Sequence, residues 1–239
     1  LVQPYNQSNS KKSEVRAMFN NIARSYDFLN HFLSLGIDIS WRKRVIKELL
    51  KYQPNRVLDM ATGTGDLAIM AVKKGIKQVV GIDLSDQMIA VGQQKMEQRA
   101  LNASIQMLVG DAEKIAFADN HFDAAMVAFG VRNFEDLPKG LSEIARVLKS
   151  DQPLLVLEFS KPVAFPVKQF YHFYSFHLLP FIGKLVSQDD RAYRYLPESI
   201  RAFPSGDDFL EIMRSCGFKN TRRISLSFGI ASIYIGEKE

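Results

Sequence analysis

One cysteine, one tryptophan and four histidines among 239 residues exclude several kinds of chemistry at the outset. A lone thiol forms no intrachain disulfide, so a reducing, cytoplasmic setting is expected. Cys216 lies in Met213-Arg-Ser-Cys-Gly217. There the glycine reads as a helix C-terminal cap and the thiol as a buried structural group rather than a nucleophile. His172 and His177 stand five apart among aromatics, which is not a ligand spacing, and no metal is expected. The opening residues lack a charged n-region, an apolar h-region and a cleavage site; Leu1 in place of Met leads us to expect residues ahead of it. A dense Lys/Arg tract with interleaved aromatics is also missing, which argues against a nucleic-acid partner despite a net charge of +5. That charge suits an anionic surface, or simply a basic protein. Internal repeats, low-complexity tracts and linkers are absent as well. With 46% hydrophobic and 24% charged residues, residues 1–239 are expected to form a single α/β domain.

The informative part is Arg56-Val-Leu-Asp-Met-Ala-Thr-Gly-Thr-Gly-Asp66, followed by Gln78-Val-Val-Gly-Ile-Asp83. An apolar strand ends at Asp59, glycines at 63 and 65 form a turn, and a helical pattern starts at Asp66. Such a turn brings main-chain N–H groups against a ligand. The second strand ends in Asp83, where a carboxylate accepts from a ribose diol. The spacing is Gly-x-Gly, without the third glycine of a dinucleotide fingerprint and without the Lys-Ser/Thr of a phosphate-binding loop. Asp59, Asp66 and Asp83 would repel a pyrophosphate, whereas they suit a nucleoside carrying a sulfonium and an ammonium. S-adenosyl-L-methionine is the expected co-substrate; a dinucleotide oxidoreductase is the alternative.

Elements alternate as a parallel sheet demands. Helices are expected at 13–30 and 38–51, then strands near 56–61, 78–84, 105–111, 122–129 and 153–160, with helices near 65–74, 85–99 and 137–149 between them. A helix near 206–216 precedes strands 223–228 and 230–235, separated only by Gly229 and so antiparallel neighbours. The fold expected is a Rossmann-like seven-stranded sheet with a C-terminal antiparallel hairpin. Asp111 and Ala112 follow the third strand and could accept from and donate to an adenine edge. The fourth strand runs into Gly130-Val-Arg132-Asn133 at the crevice mouth; Arg132 is read either as a functional group or as a structural partner of Glu135 or Asp136.

Several segments together resemble the ubiquinone/menaquinone biosynthesis C-methyltransferases. They are Tyr26-Asp-Phe-Leu-Asn30, Ser34-Leu-Gly-Ile37 with Trp41-Arg-Lys43, the Gly-Thr-Gly-Asp loop, Phe129-Gly-Val-Arg-Asn133, Leu155-Val-Leu-Glu-Phe-Ser-Lys-Pro162 and Tyr195-Leu-Pro-Glu-Ser-Ile-Arg-Ala-Phe-Pro204. The match spans nearly the whole chain. It implies methylation of a ring carbon of a reduced polyprenyl quinone precursor, 2-demethylmenaquinol being the simplest, with 2-methoxy-6-polyprenyl-1,4-benzoquinol as the alternative. The cofactor set expected is Asp59, Thr62, Gly63, Thr64, Gly65, Asp83, Leu84, Met88, Asp111, Ala112 and Ala128; many relatives carry Asn at position 111 and Ser at position 128, so Ala128 contributes through its backbone alone. By the same resemblance, Arg132 is expected to stabilise an oxyanion, Asn133 to orient the hydroxyl or a water, and Tyr26 to relay a hydrogen bond from the N-terminal helix. No histidine stands as an obvious base.

The aromatic-rich segment 165–186 is too polar and proline-broken for a membrane span. Within a helical insertion at about 163–203, it is expected to cover the substrate, either lining a groove for the isoprenoid tail or resting on the inner face of the cytoplasmic membrane. Core packing or a homodimer interface would use the same residues. A soluble-substrate O- or N-methyltransferase, or a non-catalytic partner subunit, are the competing function classes.

Overall fold

The computed structural model describes residues 2–7, 10–23, 25–27, 34, 36–162, 169 and 190–239. Seven strands form one sheet: β1 (Arg56–Met60), β2 (Gln78–Asp83), β3 (Ile105–Val109), β4 (Ala124–Ala128), β5 (Pro153–Phe159), β6 (Phe218–Leu226) and β7 (Ala231–Lys238). Their order is β3-β2-β1-β4-β5-β7-β6. The first five run parallel, and β7 is antiparallel to both β5 and β6. The order reverses between β1 and β4, so their carboxyl ends open a crevice at the topological switch point.

Alternate strand residues feed opposite layers, as the two-residue period requires. On one face Val57, Val79, Met126 and Leu155 pack under α2 (Ile37–Leu49), α3 (Asp66–Lys73) and α4 (Asp86–Gln98). On the other, Leu58, Val80, Val127 and Val156 pack under α5 (Leu137–Val147) and α7 (Asp207–Ser215). The central strands are buried on both faces, which is why they read as continuous apolar runs. Two further helices, α1 (Lys11–Ile22) and α6 (Asp190–Ala202), meet through Val15, Met18 and Tyr195.

Three boundaries differ from the sequence expectation. The first helix stops at Ile22 rather than running to residue 30, because both the N–H and the hydroxyl of Ser25 turn back onto the Ile22 carbonyl, at 3.0 and 3.2 Å. Strand β6 begins at Phe218, five residues before the expected start. It is an edge strand with a register shift between Lys219 and Arg222, and its polar residues 219–223 conceal it from an apolar count. The hairpin turn is Ser227–Gly229, with Ser227, Phe228 and Gly229 all at positive φ, rather than Gly229 alone. Elsewhere the expected elements fall within a few residues of their places, and Gly217 at φ 86 does end α7 beside a buried Cys216. The segment 165–186, with His172 and His177, lies outside the described residues apart from Gln169.

Candidate active site

The loop after β1 is built by backbone requirements. Gly65 stands at φ 85, and a Cβ on it would come within 2.7 Å of Met96 Cε. A side chain at Gly130, after β4, would come within 2.4 Å of Ala61 Cβ. The missing side chain at Gly130 lets the two loops approach, and the one at Gly65 lets the first loop pack on Met96 and Met107. Asp83 fixes the first loop from below: its carboxylate accepts from Gly63 N at 2.8 Å and Ser85 N at 2.9 Å.

The cleft above these loops is lined by Gly63, Asp83, Leu84, Met88, Asp111, Ala112 and Ala128 of the expected cofactor set, and by Tyr26 and Asn133 of the expected catalytic set. The other four cofactor candidates build the loop rather than the wall. Asp59 is buried and accepts from Thr62 Oγ1 at 2.6 Å; burial pushes its carboxyl up to about 7. Thr64 is buried and donates to Asp27, while Lys95 Nζ joins Asp27, Thr64 and Asp66 at 2.7, 3.0 and 2.6 Å. The acidity around the ligand thus has a different source from the one expected. Lys95 neutralises Asp66, and Asp59 faces away from the cleft. The cleft carboxylates are Asp83, Asp111, Glu113 and Glu135.

That set of acceptors fits a cationic nucleoside. Asp83 and Asp111 each retain acceptor capacity, and Leu84, Met88 and Ala112 supply apolar wall beside them. The free volume is about 70 Å³, well below the roughly 300 Å³ or more of a typical small-molecule pocket. Helix α1 takes the space. Lys12 Nζ reaches Asp111 at 2.7 Å and Glu113 at 2.9 Å, and Arg16 and Asn20 hold Asp86. Lys12, Val15 and Phe19 of α1 form part of the wall of this cleft.

Arg132 does not line this cleft. Its guanidinium turns to Glu158 Oε1 at 2.9 Å and to the Phe129 carbonyl, and sits 5.7 Å from the Phe159 ring centre. The structural reading of Arg132 therefore names the right kind of partner but the wrong residue, since Glu135 and Asp136 lie beyond it in sequence and Glu158 comes from β5. Burial pushes the Glu158 carboxyl up, opposed by the Arg132 charge. Asn133 Oδ1 accepts from the hydroxyl of Tyr195, 3.1 Å away. Arg132 and Tyr195 form part of a second cavity of about 360 Å³, which shares Phe134 and Glu135 with the first. Lys11, Lys12, Lys95 and the pairing role of Glu158 were not singled out from sequence. Three of these are lysines in polar stretches, where nothing distinguishes a buried partner from a solvated charge.

The description ubiE/COQ5 methyltransferase family matches residues 6–238. The chain belongs to that family. It is an adenosylmethionine-dependent C-methyltransferase. Similar proteins include a demethylmenaquinone methyltransferase of Bacteroides fragilis, 45% identical over 99% of this chain and 97% of that protein. A demethylmenaquinone methyltransferase of Porphyromonas gingivalis is 45% identical over 99% of this chain and 98% of its own length. The ubiquinone/menaquinone biosynthesis C-methyltransferase UbiE of Geotalea uraniireducens is 44% identical over 95% and 97%. Among solved structures, the [4+2]-cyclase SpnF superposes with a TM-score of 0.69 at 17% identity, covering 97% of this chain and 98% of its own. A SAM-dependent methyltransferase from Aquifex aeolicus does so at 0.61 and 21%, covering 83% and 89%. These two speak for the fold alone. Among the described residues, no helix is long and apolar enough to cross a membrane, and no group of three or more His, Cys, Asp or Glu is placed to hold a metal.

Proposed function

We propose that this methyltransferase acts on the quinol form of 2-demethylmenaquinone, placing a methyl group on the ring carbon next to a hydroxyl to give menaquinol. The observation that carries this reading is the near-full-length similarity, at 45% identity, to proteins named for that activity. The site chemistry agrees with it. An acid-lined cleft suited to a cationic nucleoside adjoins a larger cavity whose lining mixes apolar side chains with Lys11, Arg132 and Tyr195, as a ring with hydroxyls and an apolar tail would need.

Adenosylmethionine, when bound, supplies a methyl group made electrophilic by its sulfonium. In our reading Asp83 accepts from the ribose diol, Asp111 with Ala112 meets the adenine edge, and Gly63, Leu84, Met88 and the Ala128 backbone complete the wall. Asp59, Thr62, Thr64 and Gly65 act by holding the loop. The acceptor needs activation because an aromatic carbon is a weak nucleophile. Loss of the hydroxyl proton makes a phenolate whose charge reaches the ortho carbon; that carbon's electron pair forms the new C–C bond, the sulfur keeps the pair of the broken S–C bond, and the ring proton leaves last. In this reading Asn133, which accepts from Tyr195, and Tyr26, another cleft residue, orient the acceptor from the cofactor side. We further propose a cytoplasmic enzyme that meets its quinol at the membrane surface.

The similarity to proteins named for both quinones favours a second acceptor, the polyprenyl benzoquinol. The test is transfer from methyl-labelled adenosylmethionine to chemically reduced demethylmenaquinone in detergent, with the benzoquinol beside it and products read by mass. Label on the naphthoquinol ring carbon is expected. Transfer to the benzoquinol alone would move the assignment to that substrate, and transfer to neither would overturn it.

A further inference from the structure

Two neighbouring lysines open helix α1, and they have opposite surroundings. Lys12 is balanced by two carboxylates. Lys11 is buried, only 6% exposed, and its ammonium donates to two neutral carbonyls, those of Arg132 at 2.9 Å and Phe134 at 2.7 Å. Among the described residues no carboxylate comes within ion-pair distance of it. Arg132, the other cation of the same cavity, is already neutralised by Glu158. Lys11 also stands at the first position of α1, directly after the N-cap Ser10, where the helix dipole disfavours a cation. Glu135 and Glu113 act on it only from beyond ion-pair distance, and a buried charge with no directly bonded counter-charge is costly unless something else uses it. Burial, with Arg132 adding to it and Glu135 and Glu113 opposing it, lowers its pKa to about 8, so the ammonium form still dominates at neutral pH.

The cation faces a cavity of suitable size. Its roughly 360 Å³ are lined by Lys11, Arg132, Glu135 and Tyr195 on the polar side and by Val131, Phe134 and Phe203 on the apolar side. An ammonium has three donors, and the two carbonyls take two of them. What Lys11 lacks is a directly bonded anion, which an oxygen carried on an apolar ring would supply.

We propose that this cavity is the acceptor chamber and that Lys11, rather than Arg132, is the cation that binds the ring oxygen of the quinol as it becomes a phenolate. The inference rests on the quinol reading above. Lys11 supplies a fixed, buried positive charge, which lowers the energy of the phenolate and leaves the ortho carbon as nucleophile. The hydroxyl proton departs to solvent, and no redox partner is involved. Arg132 acts through its carbonyl, which holds Lys11, and through Glu158, which fixes the turn Val131–Asn133. Lys11 is therefore the catalytic residue here and Arg132 a positioning residue.

The experiment compares Lys11→Met with the unmodified enzyme on two acceptors, reduced demethylmenaquinone and a ring-halogenated analogue with a more acidic hydroxyl, alongside calorimetric titration of adenosylmethionine. The expected result is a fall in kcat of about 100-fold, the scale for losing one oxyanion donor, with adenosylmethionine affinity unchanged and a smaller deficit on the halogenated quinol. Unaltered turnover, or an equal deficit on both quinols, would overturn the assignment, because a lysine that merely anchors α1 has no reason to sense hydroxyl acidity. Ala202→Trp, on the chamber wall and away from Lys11, guards against a folding defect. It should raise the acceptor KM by about tenfold or more, the scale on which a pocket discriminates size, without touching cofactor affinity. An unchanged KM would overturn the chamber. An unmodified enzyme that methylates neither quinol defeats the function itself, a result distinct from normal turnover by the variants.

Discussion

The two cavities meet at Phe134 and Glu135, yet they are made of different material. The cofactor cleft is formed by main chain and acids: tight loops at the ends of β1 and β4, with Asp83 accepting from Gly63 and Ser85 and Asp111 at the far side. The acceptor chamber is formed by helix side chains and cations: Lys11 from α1, Arg132 from the turn after β4, Tyr195 and Phe203 from α6 and the residues after it. A nucleoside is recognised by what any methyltransferase loop can present, so its site follows from backbone geometry. An acceptor is particular to one enzyme, so its site depends on side chains brought together from distant segments.

The sharpest way to break this division is at Arg132. Arg132→Ala would leave Glu158 buried with no counter-charge, an error worth about 3–5 kcal/mol of folding stability. Chemical denaturation should show that loss, together with a collapse of turnover, since Lys11 loses its ordered support. Replacing both partners, as Arg132→Met with Glu158→Leu, should return most of the stability and none of the turnover. If the single variant is as stable as the parent, the pair does not carry the chamber. Asp83→Ala sharpens the other side. It removes the acceptor for two backbone N–H groups and for the ribose, at about 1.5–3 kcal/mol, or roughly 10- to 150-fold in cofactor Kd. Calorimetry should show that weakening with the acceptor KM unmoved; a change in both would mean that the cavities are not separable.

The same division explains what the sequence made legible. Parallel strands β1 to β5 announce themselves as apolar runs between helical patterns, and the Gly-x-Gly loop with Asp83 fixes the ligand class because glycine spacing is a direct trace of backbone shape. Asp111 and Ala112 follow from the strand count. Less legible are the contacts that depend on tertiary approach. Asp59 and Asp66 look like ligand acids in sequence, but Thr62 and Lys95 occupy them. Glu158 sits 26 residues from Arg132 and is brought beside it only by the pairing of β4 with β5. Lys11 and Lys12 are adjacent in a polar opening and point to different cavities. Strand β6 hides because an edge strand is half solvated and its polar residues break the apolar alternation.

A smaller effect separates the buried loop acid from the acids of the cleft. Burial raises the Asp59 carboxyl from its ordinary value to about 7, so the folded protein holds a proton there that the unfolded chain has released above about pH 4. The folded state binds more protons across that interval, and stability from this group declines as pH climbs from about 4 to about 7 and then levels off. Asp59→Asn keeps the shape and removes the titration. The stability difference between parent and variant should therefore fall with rising pH over that window; a flat difference would mean that Asp59 is ionised in the folded state.

The smallest effect tests the strap that joins the two cavities. Lys12 bridges α1 to Asp111 and Glu113, and its side chain is about one-quarter exposed, so the bridge is partly screened. Pairs of this kind contribute about 0.2–1 kcal/mol. Lys12→Ala should leave folding nearly unaltered while freeing the mouth of the cleft. Stopped-flow measurement should find adenosylmethionine entering up to about fivefold faster at low salt, the rate equivalent of that energy. The advantage should fade as salt rises, because salt weakens the bridge in the parent as well. Lys11 makes no exposed ion pair, so its substitution should leave that salt dependence in place. If both lysines change cofactor entry alike, α1 moves as a rigid cover and the separate duties assigned to its first two residues fall.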